Sequence, residues 1–462
     1  MLQKYNVSRI ILFLAIMLPN IIFIISRFYY ELDRPLFNYD YLLVYLLMAF
    51  NIPYFFSFAL FIIIILVDLA TLFSKIYLFK LPEFLNSLFF YNNYSINEHQ
   101  MAFLLILIIY LFTLFFIFKS FKNKIGTDRT SIIHFIFILF FTFTVDLING
   151  SSLFKSYIFT TKFYKGNFAG SPTPALYDLI NDKNAFIINK PILNKKSITY
   201  KQFVMDTSTN QMLILVESMG LIDDTIKRNA FQENISDVFK QYNWKTIWGQ
   251  TRFTGGTTNA ELRELLDCVG SYQYFINQKN AQNFISIFQI KKQKGYKITA
   301  IHSYKGNMFK RYIWWKNIGV DDVYFREDLQ KLSNYKLKLN YDTPFTSVND
   351  EDVFDFIQAK TSKKSKKFVY FLTENGHLPF ISNFEKPFSS RLFDIQKEAS
   401  ISEEAKNQHK RISNFLVYVA SHLDSNKFQK ILIVGDHMPP FLNKDDRNFY
   451  NNQFVPYCIV TK

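Results

Sequence analysis

Long apolar runs crowd into the first third of the chain and are separated by short polar or basic stretches. Each of the longer runs approaches the roughly 20 apolar residues that a helix needs to cross a bilayer. The pattern therefore predicts an all-α transmembrane bundle within residues 1–150. Its five predicted spans are residues 10–25, 41–50, 55–79, 101–118 and 131–148.

Basic residues between the spans predict which way the bundle faces. Lys119, Lys122, Lys124 and Arg129 lie between the fourth and fifth spans. Loops rich in lysine and arginine stay in the cytoplasm. With five spans, the chain that follows the fifth span is then predicted to lie outside the cytoplasm.

The pattern leaves two polar features of this region open. Asp68 interrupts the third span, where a carboxylate is costly, so it has either a function or a packing role as a protonated or helix-paired acid. Residues 154–165 mix lysines with aromatic residues. They fit either a segment that lies in the membrane interface or an ordinary linker.

From about residue 211 the pattern changes to short apolar strands that alternate with helical patterns. The clearest strands are MLILV, KITAI, FVYFL and ILIV, and the clearest helices are AELRELLDCV and HKRISNFLVYVASHL. This alternation predicts an α/β domain with a largely parallel central sheet in residues 211–462. Residues 151–210 have a mixed pattern, and we interpret them as a connector that packs on this domain.

Composition and charge narrow the possible partners. The chain has 53 Phe and 28 Tyr residues, a bias that an AT-rich genome could produce but that would not by itself cluster the apolar residues. The formal charge of +15 would suit nucleic acid or an anionic membrane surface. Because membrane spans are predicted, we favour the membrane and expect no nucleic-acid partner. The two cysteines, Cys268 and Cys458, allow at most one disulfide.

Polar side chains follow four of the predicted strands. Ligands of α/β sheets bind beyond the carboxyl ends of the strands, so these side chains are expected to meet at one edge. Carboxylates and imidazoles together suit Zn²⁺ or Mn²⁺. The sequence therefore predicts a divalent metal site at this edge. The residues are Glu217 after the first strand, His302 after the second, Thr373, Glu374 and His377 after the third, and Asp436 and His437 after the fourth.

The stretch TRFTGGTTNAELREL supplies a candidate nucleophile. Thr258 and Glu261 fit a capping box, with Thr258 as the N-cap of the following helix. That assignment places Thr257 just outside the helix with a free hydroxyl. The positive helix end and a nearby metal would both favour an alkoxide, so Thr257 is a candidate catalytic nucleophile and metal ligand.

Taken in order, these segments resemble the membrane-anchored alkaline-phosphatase-like and sulfatase-like transferases. That group includes phosphoethanolamine transferases and the phosphoglycerol transferases related to lipoteichoic acid synthases. LVESMG is similar to the stretch with the family's first metal carboxylate, GGTTNAEL to its nucleophile loop, and VGDHMPP to its paired metal ligands. IHSYKGNMFKR and TENGHLPF are similar to its substrate-binding stretches.

The resemblance implies a role for each matching residue. Glu217, Thr257, Asp436 and His437 would bind the metal, Thr257 would be the nucleophile, and His302, Arg311 and His377 would bind the substrate. ESMG is nearer to the phosphoglycerol branch than to the phosphoethanolamine branch, and two cysteines cannot supply the several disulfides usual in the latter. Cys268 lies in LDCVGSY, which lacks the motif that sulfatases proper modify.

The same resemblance implies a reaction and a location. The enzyme would move a phosphoethanolamine or phosphoglycerol head group from a phospholipid, through a phospho-threonine, onto a cell-envelope glycan or glycolipid. It would lie in the bacterial cytoplasmic membrane with its catalytic domain on the periplasmic or extracellular side. A metal-dependent phosphodiesterase or phosphatase that uses water as the acceptor is the alternative. A non-catalytic relative is a third reading, although Thr257, Asp436 and His437 are all present.

Overall fold

The structure, a computed structural model, divides into two compact units. One comprises Met1–Phe89 and Ile96–Ile187, and the other comprises Phe90–Ser95 and Ile188–Lys462. The structure describes residues 10, 13–21, 23–25, 36–49, 52–76, 98–124, 129–148, 169–171, 190–193, 197–208, 210–252, 255–332, 337–343, 345–362, 366–378, 380, 401–441 and 443–462.

The N-terminal unit is helical at described positions of all five predicted spans, including residues 13–21 and 23–25 of the first. After these residues come β1 (Phe37–Asn38), α1 (Asp40–Ala49), α2 (Tyr54–Ile76), α3 (Glu98–Lys124) and α4 (Arg129–Ile148), and then β2 (Ala169–Gly170), which pairs with β1. Within the described ranges, no helix combines the length and the apolar character needed to cross a membrane. The predicted interfacial segment, residues 154–165, lies outside the described residues.

Aromatic rings form the centre of this unit. The ring of Tyr45, on α1, lies 4.7 Å from that of Phe121 and 5.4 Å from that of Phe118, both on α3. It also lies 5.7 Å from the ring of Phe61 on α2 and 5.8 Å from that of Phe135 on α4. Tilted and edge-to-face pairs at these distances are the favoured aromatic geometries. One tyrosine thus joins α1 to α2, α3 and α4.

The carboxylate of Asp68 is hydrogen-bonded within this unit. Asp68 is buried, and its carboxylate accepts hydrogen bonds from Asn38 Nδ2 at 3.1 Å and Tyr41 Oη at 3.0 Å. These donors come from β1 and α1, so the carboxylate ties both to α2. Hydrogen bonds of this kind offset the cost of burying a polar group.

The C-terminal unit has mixed helices and strands, as the sequence predicts. Its strands are β3 (Ile192–Leu193), β4 (Gln211–Val216), β5 (Lys245–Arg252), β6 (Cys268–Val269), β7 (Lys297–His302), β8 (Asp322–Tyr324), β9 (Leu339–Asn340), β10 (Ser347–Val348), β11 (Lys367–Leu372), β12 (Lys430–Gly435) and β13 (Phe454–Thr461). Its α-helices are α5 (Ile198–Phe203), α6 (Thr225–Gln241), α7 (Thr257–Leu266), α8 (Gln278–Ala281), α9 (Ile287–Gln293), α10 (Arg311–Asn317), α11 (Arg326–Gln330), α12 (Asp350–Lys360), α13 (Glu403–His422) and α14 (Lys444–Asn448).

Seven of the described strands form the central sheet, in the order β5-β13-β12-β4-β11-β7-β8. The four strands predicted from sequence are its consecutive central members β12, β4, β11 and β7, and all three pairings between them are parallel. Only β13 runs antiparallel to its neighbours β12 and β5. The predicted α/β domain with a largely parallel sheet is therefore confirmed.

The apolar sequence of the central strands follows from their position. All six residues of β4 are buried, because helices cover both faces of a parallel sheet. One of these covering helices is α13. Ser402 caps it by accepting a hydrogen bond from the Ala405 amide, and its buried face includes Ile412, Phe415 and Val419 at helical spacing. Cys268 and Cys458 are buried and do not form a disulfide.

Candidate active site

The candidate residues lie at the carboxyl edge of the central strands. Leu372, the last residue of β11, pairs with Leu215 of β4 and with His302, the last residue of β7. Gly435, the last residue of β12, pairs with Val216. The four strands thus end at one level, and the residues that follow them converge as expected.

Glu217, Asp436 and His437 form a group that could hold a metal ion. One ligand atom from each lies within 4.8 Å of the others. His437 Nε2 is 3.3 Å from Glu217 Oε1 and 3.3 Å from Asp436 Oδ2. All three side chains are buried, and Asp436 Oδ2 accepts no hydrogen bond from any described residue. A buried carboxylate oxygen left in this way fits a metal ligand, because buried polar atoms are otherwise hydrogen-bonded.

The pKa shifts of Glu217, Asp436 and His437 also support a metal site. Burial opposes charge on Glu217, yet His437 holds the pKa of that carboxyl well below its usual range. Burial, followed by the charge of Glu217, raises the pKa of Asp436 well above its usual range. Burial lowers the pKa of His437, but Asp436 and Glu217 together raise it to about 10. Without a metal, burial and the charge of Glu217 thus oppose charge on Asp436, and a divalent cation between the two acids would stabilise both as carboxylates more strongly than an imidazolium does.

The backbone after β4 is bent to bring these ligands together. Ser218 has a φ of 56°, in the left-handed region that a serine rarely occupies. Its amide donates to Asp436 Oδ1 at 2.7 Å, and its hydroxyl donates to Glu217 Oε1 at 3.0 Å. The Glu217 amide donates to Thr373 Oγ1 at 2.9 Å. The strain at Ser218 is thus offset by hydrogen bonds that orient both carboxylates.

Two glycines let the backbones approach behind the ligands. A Cβ on Gly435 would lie 2.1 Å from the carbonyl oxygen of Met219, and one on Gly376 would lie 2.3 Å from that of Glu217. Neither distance is possible for a real side chain. The strand ends of β4, β11 and β12 can therefore lie this close only with glycine at both positions.

Thr257 is the first residue of α7, and Gly256 is its N-cap. The predicted capping box is therefore wrong: Thr258 lies inside the helix, and the side chain of Glu261 is bonded elsewhere. The half-buried Thr257 hydroxyl donates to Glu217 Oε2 at 3.0 Å and lies 3.4 Å from His437 Nε2. The partial positive charge at the helix N-terminus acts on this hydroxyl, as the sequence predicts. Thr257 is, however, the first residue of the helix and does not precede it.

Each of three histidines at the site bonds a backbone carbonyl through Nδ1. The distances are 2.8 Å from His437 to Met438 O, 2.7 Å from His377 to Leu378 O, and 3.1 Å from His302 to Leu372 O. Because a carbonyl oxygen only accepts, Nδ1 carries the proton in each ring. All three therefore present Nε2, which is the nitrogen of His437 that faces the carboxylates.

His302 and His377 favour the neutral state. Burial, and then the charge of Arg311, lowers the pKa of His302 well below its usual value. Burial also lowers the pKa of His377, although the charge of Glu217 offsets part of this effect. Each imidazole therefore presents an unprotonated Nε2.

Arg311 lies beside His302, with its Nη1 3.4 Å from His302 Nε2. The arginine is 2% exposed and pairs with Glu261, whose Oε2 is 2.9 Å from Arg311 Nη2. The structure thus places the predicted substrate-binding pair His302 and Arg311 together. The charge of Glu217 acts on both His302 and His377, which puts all three imidazoles in one electrostatic neighbourhood with the candidate metal ligands.

Sequence reasoning missed several residues that shape the site. Arg263 is fully buried and donates to the carbonyl of Gly435 at 3.0 Å, directly behind the candidate ligand Asp436. Asp350, at the start of α12, accepts the amides of Glu374 and Asn375 and so holds the loop that carries His377. The partners in these contacts are far apart along the chain, so no local pattern could have indicated them.

Glu374 is a further buried acid at this edge. Burial, and then the charges of Glu217 and Asp350, raises the pKa of Glu374 well above its usual range. Its Oε2 is 3.7 Å from His302 Nε2. The sequence places Glu374 among the polar residues that follow the strands, but assigns it no role.

Two other expectations have clear outcomes. The helical pattern HKRISNFLVYVASHL favours a solvated position for His409 over a role as a metal ligand or substrate contact. This prediction is wrong, because the side chain is buried, with its ring 4.9 Å from that of Phe231. Burial lowers the pKa of His409 to about 4. The stretch RYIWWKNIG favours core packing of Trp314 and Trp315 over a position that covers a lipid or sugar, and both side chains are fully buried.

The chain was compared with known proteins. The sulfatase family model matches residues 209–454, which is more than half of the chain. No curated protein matches the chain in sequence. Among solved structures, the integral membrane lipooligosaccharide phosphoethanolamine transferase A of Neisseria meningitidis is 11% identical, with a TM-score of 0.50, over 91% of this chain and 80% of that chain.

Two further structures are similar over slightly more than half of this chain. The lipoteichoic acid synthase LtaP of Listeria monocytogenes is 14% identical, with a TM-score of 0.37, over 55% of this chain and 65% of that chain. This chain therefore covers slightly less than two thirds of the Listeria structure. The phosphoglycerol transferase GacH of Streptococcus pyogenes, in complex with sn-glycerol-1-phosphate, is 17% identical, with a TM-score of 0.38, over 56% of this chain and 71% of that chain.

Proposed function

The chain belongs to the sulfatase family, and on that premise we propose that it is a metal-dependent transferase of a phospholipid head group. The observation that carries the proposal is the position of Thr257. Its hydroxyl lies 3.0 Å from Glu217 and 3.4 Å from His437, at the point where the three candidate metal ligands converge. A nucleophilic hydroxyl at the first position of a helix, beside a metal site, is suited to forming a covalent phospho-enzyme.

The residues of the site divide into two groups in this proposal. Glu217, Asp436 and His437 would hold a divalent ion, Zn²⁺ or Mn²⁺, with Thr257 as an additional ligand. When bound, the ion supplies Lewis-acid activation of the hydroxyl and neutralises charge on the phosphate. Arg311 would bind a phosphate oxygen, and His302 and His377 would bind substrate and carry protons.

The reaction has two halves. In the first, Thr257 Oγ1 forms a bond to the phosphorus of the donor phosphodiester, and the bond from phosphorus to the diacylglycerol oxygen breaks. The proton that Thr257 loses balances the proton that the diacylglycerol oxygen gains. In the second, the hydroxyl of an acceptor attacks the phosphorus, the bond to Thr257 breaks, and a proton returns to Thr257. The Nε2 atoms of His302 and His377, which are free of a proton, suit these transfers.

The head group, the acceptor and the location are part of the same proposal. The motifs support phosphoethanolamine or phosphoglycerol as the transferred group and a cell-envelope glycan or glycolipid as the acceptor. The predicted bundle and the orientation of its basic loop support a multi-pass protein of the bacterial cytoplasmic membrane, with the site on its outer side. The net charge of +15 would favour an anionic membrane surface. No nucleic-acid partner is proposed.

Intact mass of the full-length protein tests the proposal. The protein in detergent is incubated with phosphatidylethanolamine or phosphatidylglycerol and with Zn²⁺ or Mn²⁺. We expect a mass increase that matches phosphoethanolamine or phosphoglycerol, present in Thr258→Ala and absent in Thr257→Ala. An adduct that persists in Thr257→Ala would show that another residue is the nucleophile.

Acceptor dependence separates the transferase from the hydrolase. If the adduct decays at the same rate with and without a glycan acceptor and only free head group is released, the protein is a phosphodiesterase. If neither lipid gives an adduct although metal is bound, the proposed donor class is wrong.

A further inference from the structure

Glu261 is a fully buried carboxylate that the proposed reaction does not use. It lies on α7, four residues after Thr257, and is 0% exposed. Burying a carboxylate is costly unless it is paired and hydrogen-bonded, so its partners indicate its role. Those partners lie on α10, which carries Arg311, and on β11, which precedes the loop with His377.

Each oxygen of Glu261 accepts two hydrogen bonds. Oε2 accepts from Arg311 Nε at 3.0 Å and from Arg311 Nη2 at 2.9 Å. Oε1 accepts from Trp315 Nε1 at 2.9 Å and from Tyr370 Oη at 3.2 Å. Four donors satisfy the carboxylate. Glu261 therefore holds α7, α10 and β11 at fixed distances from one another.

This arrangement leaves Nη1 of the Arg311 guanidinium unbound by Glu261. Nε and Nη2 are occupied by Glu261, whereas Nη1 points to His302 Nε2 at 3.4 Å. The Phe309 ring lies 5.1 Å from Arg311 Cζ and limits movement of the guanidinium on that side. A planar cation that is fixed along one edge presents its remaining N–H groups in a defined direction, as phosphate recognition requires.

The backbone before Arg311 is strained. Phe309 and Lys310 have φ values of 54° and 53°, both in the left-handed region. Residues other than glycine keep such conformations only where surrounding contacts enforce them. The hydrogen bonds from Arg311 to Glu261 follow directly after this strained pair and are among the contacts that enforce it.

We infer that Glu261 is a positioning residue, which fixes the Arg311 guanidinium relative to Thr257 so that a substrate phosphate is bound at a set distance from the nucleophile. The inference rests on the proposed function, because it takes a phosphate ester as the substrate. Thr257 and Glu261 share one helix, so the nucleophile and the cation that binds the phosphate are held by the same rigid element. A carboxylate with only a packing role would not need this connection.

Binding of inorganic phosphate to the full-length, metal-loaded protein tests the inference without requiring any transfer. We expect the dissociation constant to rise about tenfold or more in Glu261→Gln, which keeps the side-chain shape but removes the charge that orients Arg311. Glu261→Asp keeps the charge but is one methylene shorter, and we expect a similar loss. Arg311→Lys should weaken binding too, and the double variant Glu261→Gln with Arg311→Lys should bind no more weakly than Arg311→Lys alone.

Tyr370→Phe and Trp315→Phe are matched controls. Each removes one donor to Glu261 without touching Arg311, so each should lower thermal stability while leaving the dissociation constant within about twofold of wild type. The same two controls show whether loss of phosphate binding merely follows loss of stability. Tryptophan fluorescence identifies variants that do not fold, and Glu261→Asp decides the question if Glu261→Gln is one of them.

The outcomes separate the inference from the proposed function. Unchanged phosphate binding in Glu261→Gln, or wild-type binding in Glu261→Asp, overturns the positioning role. Equal losses in Tyr370→Phe and Glu261→Gln also overturn it, because they would show a general packing effect. A wild-type protein that binds no phosphate at all contradicts the proposed substrate class itself, and with it the inference.

Discussion

Replacing Arg263 by methionine should strongly destabilise the C-terminal unit, which is called the catalytic unit below because it carries the candidate active site. Arg263 and Glu264 form a buried ion pair, with Nε 2.6 Å from Oε1 and side chains that are 1% and 0% exposed. Arg263 also donates to the carbonyls of Gly435 and Arg252, each at 3.0 Å. Breaking a buried pair costs ~3–5 kcal/mol, and each of the two carbonyls that lose their donor adds ~1 kcal/mol, so we expect a loss of about 5–7 kcal/mol.

A double-mutant cycle separates the effect of the unpaired charge on the unfolding free energy from the effect of lost packing. Glu264→Gln in the Arg263→Met background removes the uncompensated charge and should recover ~2–3 kcal/mol. The exposed pair Lys297 and Asp322, at 2.7 Å with side chains 57% and 37% exposed, is the control. Its coupling should be much weaker than that of the buried pair, because solvent screens exposed ion pairs.

Tryptophan fluorescence during urea unfolding measures these energies. All four tryptophans lie after residue 188, at positions 244, 248, 314 and 315, so the signal reports only on the catalytic unit. Arg263→Met should also weaken metal binding, because its guanidinium holds the backbone immediately before Asp436. A loss no larger than that of Lys297→Met would refute the assigned role of the buried pair.

Three further predictions concern the ligand loop, a buried histidine and the metal. Gly435→Ala would place a Cβ 2.1 Å from Met219 O, so calorimetric titration should show metal binding at least about tenfold weaker. Gly295→Ala, which has open space but a φ of 81°, should cost ~1 kcal/mol of stability and leave metal affinity unchanged. Because burial lowers the pKa of His409 from 6.5 to about 4, its neutral form contributes stability that is full above pH 6.5 and is lost as pH falls toward 4. The loss is ~3 kcal/mol by linkage, and His409→Gln should flatten the pH dependence of the unfolding free energy in that range. Zn²⁺ or Mn²⁺ at 100 times its dissociation constant should stabilise the catalytic unit by ~2.7 kcal/mol, and a melting-temperature increase that persists in Glu217→Gln would contradict the assigned ligands.

The central sheet and its functional edge could be predicted because their signals are local. A run of apolar residues such as MLILV predicts a buried strand, and the polar residue that follows marks its carboxyl end. Four such runs place Glu217, His302, His377 and Asp436 at one edge without any knowledge of tertiary contacts. The structure adds the distances, and these depend on the glycines and the strained serine between the strands.

The role of Glu261 could not be predicted, because a local pattern competes with the tertiary one. Thr258 and Glu261 have the spacing of a capping box, and sequence alone favours that interpretation. The actual partners, Arg311 and Tyr370, lie 50 and 109 residues further along the chain. Arg263 was missed for the same reason, since its acceptor Gly435 is 172 residues away.

The position of β4 in the sheet has a consequence for biosynthesis. This strand emerges first from the ribosome among the central strands, yet its two neighbours are β11 and β12. Residues 217 and 373 are 156 positions apart, and residues 218 and 436 are 218 positions apart. At a translation rate of ~5–20 residues per second, roughly 10–40 seconds pass between the synthesis of this apolar strand and that of its partner strands. A chain that stops before residue 430 would leave one edge of β4 unpaired and would lack two of the three candidate metal ligands, so metal binding and protection of the strand are completed by the same late segment.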